Sequence, residues 1–167
     1  MAGTNDGFVS KLKSDLSGPL QASTYIGGPN GSSYSKAITC SGGEVYIAGY
    51  TTSANYPTTP GAYQLNLKSQ DAFVTRLNST LSGPLVASTY LGGSSSEYGT
   101  AVAVREGNVY VAGYSNSTDY PVTSGVYQGT KAGVNDAFVA ELTGPSSSHL
   151  TTTQRFCPTS RLTRGHL

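Results

Sequence analysis

The only two histidines in this sequence, His149 and His166, both lie beyond Leu142. Everything up to Leu142 therefore lacks a Ser-His-Asp or Cys-His arrangement for nucleophilic catalysis and any histidine-containing zinc set. Cys157 with the two histidines is too sparse for a metal site. Cys40, in "KAITCSGG", reads as a small buried hydrophobe. Carboxylates and tyrosines remain. Asp6, Asp71 and Asp136 recur at one fixed interval, in "DGF", "DAF" and "DAF". An Asp just ahead of a strand accepts hydrogen bonds from backbone N–H groups of the preceding turn, and that structural role is the one expected. The other acids do not recur: Glu97 aligns with Ser33, Asp119 with Asn55 and Glu44 with Asn108. Glycoside hydrolysis needs a positioned carboxylate pair, and no pattern marks one. Tyr56 and Tyr63 are repeated as Tyr120 and Tyr127. Exposed, these rings can stack on sugars or proteins; turned inward, they fold a long loop back onto its sheet. Tyr56, Tyr63, Tyr120 and Tyr127 are the candidate ligand surface. No catalytic, cofactor-binding or metal-ligating residue is assigned, and no cofactor is expected.

The elements that must position these residues come from an internal repeat, the first thing to seek in such a sequence. "SGPLQASTYIGG" at 17–28 returns as "SGPLVASTYLGG" at 82–93. "GGEVYIAGYTTSANYPTTPGAYQ" at 42–64 returns as "EGNVYVAGYSNSTDYPVTSGVYQ" at 106–128. One period carries four strand candidates: 35–40, 44–50, 71–77 and 85–91. "SGG" at 41–43 is a hairpin turn, and the Pro- and Gly-bearing stretch 51–70 is a long loop. The glycine pairs 27–28 and 92–93 end strands; no G-x-x-x-x-G-K-[ST] follows to make a phosphate loop. In "NVYVAGY" one face carries Val109, Val111 and Gly113, the other Tyr110, Ala112 and Tyr114. Both faces are largely apolar, so sheets stacked on both sides are expected. Radially stacked four-stranded sheets are the β-propeller; a β-solenoid has shorter coils.

Composition agrees. Charged residues are 11%, against about 25% in ordinary globular domains, with 21 Gly and 12 Tyr and no Trp. Short alternating runs of Val, Ala, Tyr and Leu are β-formers. A net charge of +1 offers nothing to nucleic acid. No apolar run reaches the roughly 20 residues of a membrane span, and no signal peptide opens the chain. Residues 143–167 differ from the rest: Arg155, Arg161 and Arg164 stand there without an acid. The expectation is a non-repeat, disordered tail from a truncated or frame-shifted end.

The combined pattern over residues 6–142 resembles the bacterial β-propeller repeat of the SBBP type. The elements that carry it are D-A-F-V, S-T-Y-L-G-G, A-V-A-V followed by N-V-Y-V-A-G, and Y-P-x-T-x-G-x-Y-Q. The resemblance implies an all-β, propeller-like fold of four-stranded antiparallel blades, with about two blades' worth of a longer propeller present. Residues 1–33 would give the third and fourth strands of a preceding blade, 34–93 one contiguous blade, and 94–142 the first three strands of a following one. It further implies a non-enzymatic scaffold or adhesion surface in an exported or cell-surface bacterial protein. Its partners would be further blades of the same protein or of a homo-oligomer, with protein or glycan ligands. The rival readings are carbohydrate binding through the Tyr-rich loops and a propeller hydrolase or lyase whose site lies outside this chain. In the family the loop after S-T-Y-L-G-G is often acidic; here it reads "PNGSS" and "SSSE", which removes the basis for a metal role.

Overall fold

A computed structural model describes residues 3–143. All of its regular structure is β: nine strands form three antiparallel sheets, each in simple sequence order. Strands β1 (Gly7–Lys11) and β2 (Ala22–Ile26) make a two-stranded sheet. Strands β3 (Ser33–Ser41), β4 (Glu44–Thr51), β5 (Asp71–Asn78) and β6 (Ala87–Leu91) make a four-stranded meander. Strands β7 (Glu97–Arg105), β8 (Asn108–Ser115) and β9 (Asp136–Thr143) make a three-stranded one. The chain is all-β and propeller-like, and no helix among the described residues is long and apolar enough to cross a membrane.

Local chemistry explains the meander. The β3–β4 turn places Gly42 and Gly43 at φ of 59° and 77°, the left-handed pair that a two-residue hairpin with matching strand twist requires. The β7–β8 turn has the same shape, but Glu106 occupies the first position at φ 52°, where a Cβ is unfavourable. The repeated "AGY" glycine has a different reason. A Cβ on Gly49 would fall on the carbonyl oxygen of Tyr34, and one on Gly113 on that of Tyr98. Each faces the irregularity in its partner strand, between Ser35 and Ala37 in β3 and between Gly99 and Ala101 in β7.

The four-stranded sheet is buried on both faces. Val45, Ile47, Phe73, Leu77 and Tyr90 pack with Val9 and Ile26 of the first sheet. Ala48, Ala72, Val74 and Leu91 pack with Val111 and Phe138 of the third. Leaving each such side chain in water would cost about 1.5–3 kcal/mol for the larger ones, so the middle sheet is where the stability concentrates. The expectation that both faces are covered fails for the outer sheets. Phe8 and Tyr25, the counterparts of Phe73 and Tyr90, are exposed, as is Val139, the counterpart of Val74. The far faces of these sheets have no neighbour among the described residues. Cys40 corrects a second expectation: it is exposed, not buried. Its strand pairs it with Val45 on the face toward the first sheet, which is only two strands wide and leaves Ile38 and Cys40 uncovered. Of the expected tail, 143–167, Thr143 instead closes β9 by pairing with Asn108; the rest, from residue 144 onward, lies outside the described residues.

Candidate functional site

The repeated tyrosines separate into two pairs. Tyr56 does not belong to any surface: it is 3% exposed. Its ring stacks on Phe73 at 4.4 Å between centroids, and its hydroxyl lies 2.7 Å from Thr75 Oγ1. Burial pushes its phenol well above the ordinary range. Tyr120 repeats the stack on Phe138 at 4.6 Å, is part-buried and is likewise raised by burial. Tyr63 and Tyr127 project outward, and Tyr127 has no cover at all. The two "YP" tyrosines therefore fold the long loop onto its sheet, and the two "YQ" tyrosines are available.

Tyr63, Tyr120 and Tyr127 meet at one place, a groove of about 720 Å³ between β6 and β9, floored by Leu91 and Phe138. The middle sheet shows how this groove is built. There, Tyr90 of β6 lies over Phe73 and Tyr56, and its hydroxyl donates to the carbonyl of Ser53 at 2.8 Å. Burial pushes that phenol up to about 12. Gln64 aligns the strand: its backbone N–H donates to Thr89 Oγ1, its carbonyl accepts from Tyr90 N–H, and its side-chain oxygen accepts from Gly92 N–H. In the third sheet Ser117, Tyr120, Gln128, Asp136 and Phe138 stand in the corresponding places. Among the described residues no strand pairs with the outer edge of β9.

Two of the three repeated Asp residues, Asp71 and Asp136, act in the turns, as expected. Asp71 Oδ2 accepts from Gln64 Nε2 and from Lys68 N–H. Asp136 Oδ2 accepts from Gln128 Nε2 and Ala132 N–H, and its Oδ1 from Gly133 N–H. Asp71 also faces something the sequence did not announce. Glu97 is fully buried; its Oε2 accepts from Gly93 N–H at 2.7 Å and its Oε1 from Ser115 Oγ at 2.6 Å. A Cβ on Gly92 would fall on Asp71 Oδ1 and 2.8 Å from Glu97 Oε2, so the two carboxylates flank one glycine. Asp71 Oδ1 has no donor among the described residues, and burial, then the Glu97 charge, raises its pKa. Asp119 closes the same loop by accepting from Ser94 N–H and Oγ–H, and those bonds lower its pKa. Among the described residues no group of three or more His, Cys, Asp or Glu is placed to hold a metal. Recurrence gives no signal for Glu97, because its counterpart is Ser33, which meets Thr51 Oγ1 at 2.9 Å; the two repeats solve one buried position with different polar pairs.

A second aromatic feature also escapes a reading of the sequence. Tyr34, Tyr50, Tyr98 and Tyr114 form a continuous column, with successive centroids 5.0, 4.8 and 4.5 Å apart. It crosses from the middle sheet to the third, and Lys36 lies over two of its rings. The signal is present in the repeat: Tyr98 is the in-register copy of Tyr34, and Tyr114 that of Tyr50.

Stacked antiparallel meanders joined by equivalent long loops, with the repeated residues spent on turns and inter-sheet packing, define a blade-forming repeat. Residues 88–121 match the family model SBBP, beta-propeller repeat. The matched segment runs from the last strand of one sheet through the first two of the next, and Ser23 to Pro57 is its in-register copy. No curated protein matches the chain.

Proposed function

We propose that this structural repeat segment is a non-enzymatic scaffold, in which stacked blades present a surface for adhesion or protein binding. One observation supports it most: residues shared by the repeats, Tyr56, Asp71, Phe73 and Tyr90, are turned inward and consumed by packing and turn hydrogen bonds. The reading extends, by resemblance alone, to an exported or cell-surface bacterial protein, in which further blades, of the same protein or of a second copy, would cover the exposed faces around Phe8 and Val139. The test is repeat addition. Stability of a stacked array grows with each repeat and interface, so chains extended by further copies of residues 34–93 should melt at successively higher temperature. No gain on addition would remove the scaffold reading. Fractionation of the bacterial cell that makes the full protein tests its location.

A second reading, glycan binding, draws on Tyr63, Tyr120 and Tyr127 lining one groove. A glycan array with the wild-type chain and with Tyr63→Ala and Tyr127→Ala decides it: binding lost in both variants would replace a purely structural role. The hydrolase or lyase reading would need a site built with residues outside this chain.

A further inference from the structure

We propose that Asp71 and Glu97 share one proton across the junction between the middle and third sheets, and that this proton holds the junction shut and loosens it when lost. Both carboxyls are fully buried. They come from opposite sides of the junction, Asp71 from the start of β5 and Glu97 from the start of β7. They converge on Gly92, where the atoms nearest to an added Cβ are Asp71 Oδ1, Asp71 Cγ and Glu97 Oε2. Donors are divided unevenly between them. Glu97 accepts on both oxygens, from Gly93 N–H and Ser115 Oγ–H, and such bonds favour the ionised form. Asp71 accepts twice on Oδ2 and, among the described residues, not at all on Oδ1. A buried acceptor without a donor is costly, and two like charges in one buried site do not both ionise readily. A proton on Asp71 Oδ1 answers both problems. It removes one charge and turns the orphan acceptor into a donor beside Glu97 Oε2.

The charged and titratable neighbours do not replace that proton. Lys68 Nζ is spent on the Gly92 carbonyl at 3.2 Å, and its charge acts on Asp119, which is bonded to Ser94. The phenols of Tyr90 and Tyr120, beside Asp71 and Glu97, are kept neutral by burial. Burial and the Glu97 charge raise the pKa of Asp71, so the contribution is fully present below pH 3.8 and is lost as pH rises through the folded value. The position is mechanical. β7 packs against β3, β4 and β5, Glu97 N–H donates to the Gln70 carbonyl at 2.7 Å, and Gly99 rests on the Gly49 carbonyl. The junction between the first and middle sheets provides a built-in comparison. Asp6 stands against Gly27 as Asp71 stands against Gly92, but Asp6 is exposed. In place of Glu97 that junction has Ser33, paired with Thr51. One junction therefore carries two facing carboxyls and the other carries one.

The test is hydrogen exchange of the full chain from pH 3 to pH 7, corrected for intrinsic rates. The amides of Gly93 and Glu97 report the junction, because each donates across it. The amide of Ser33, which donates to the Asn5 carbonyl at 2.8 Å, reports the other junction. Protection of Gly93 and Glu97 relative to Ser33 should fall about tenfold or more as pH rises, the change that one pKa unit between closed and open states produces. Glu97→Gln should flatten that fall. Glu97→Ser combined with Ser115→Thr installs the hydroxyl pair that Ser33 and Thr51 already make, and it should flatten the fall with the fold kept. Relative protection that does not change with pH in the wild type overturns the proposal. So does a fall of the same size in the double variant. The same titration with calcium chloride, and with a chelator, decides between a proton and a cation. Protection restored at pH 7 by calcium would assign the two carboxylates to a cation and overturn the shared proton.

Discussion

Asp71 and Asp136 occupy the same position in successive repeats, and their pKa values move in opposite directions. Both hold a glutamine amide and a turn N–H. Asp71 is sealed beneath Gly92 beside Glu97, and burial raises its pKa above the usual 3.8. Asp136 is only part-buried, and backbone N–H groups lower its pKa below the same value.

The sign of each effect on stability follows from linkage. A raised carboxyl favours the fold while protonated, so the Asp71 contribution is fully present below pH 3.8 and is lost as pH rises through its folded value. A lowered carboxyl does the reverse: Asp136 stabilises above pH 3.8 and loses that contribution as pH falls through its folded value. Melting temperatures of Asp71→Asn and Asp136→Asn between pH 3 and pH 7 should therefore diverge. Relative to wild type, Asp71→Asn gains as pH rises and Asp136→Asn loses. Parallel curves would contradict the burial difference.

Tyr90 gives an alkaline counterpart. Its phenol, raised to about 12 from 10.0, contributes stability that is present below pH 10 and is lost as pH climbs through about 12. Tyr90→Phe should remove this dependence. It leaves the buried Ser53 carbonyl without the Tyr90 hydroxyl, at a cost of about 1–3 kcal/mol near neutrality. Urea unfolding at pH 7 and pH 11 reads both effects.

Glu106 sits at φ 52° in the β7–β8 turn, where asparagine or glycine is preferred. Glu106→Asn should stabilise the chain by about 0.5–1 kcal/mol. The ion pair it gives up, with Arg105 at 3.6 Å, lies in open solvent, where such pairs contribute little. A raised denaturant midpoint with an unchanged slope is the expected result.

Tyr56→Ala opens a cavity against Phe73 and should cost about 3–5 kcal/mol. Tyr127→Ala, at a fully exposed position, should stay within about 0.5 kcal/mol. Thermal melts of the two variants separate a core tyrosine from a surface one of the same repeated loop.

Much of the fold was legible because the repeat is written in strands. The four candidates of one period and the order of the meander correspond to β3 to β6, and the strand-end glycines to 92–93, since alternation and turn chemistry are local properties. The candidate surface was only half legible. Tyr56 and Tyr63 are both Tyr in a Pro-rich loop, and nothing local separates the one that stacks on Phe73 from the one that points outward. Glu97 was missed for a similar reason: a single acid in a serine run looks solvated until Gly93 and Ser115 are brought to its two oxygens. Cys40 was misplaced because its burial depends on how wide the facing sheet is, which lies in another part of the chain.

Sequence alone determined the period, the strands and the turns, for these depend on residues a few positions apart and on their recurrence. Tertiary structure decided which repeated residues are spent inside. Burial is set by what the next sheet places against each face, and among the described residues the middle sheet has neighbours on both sides while β9 has one edge and one face without a neighbour.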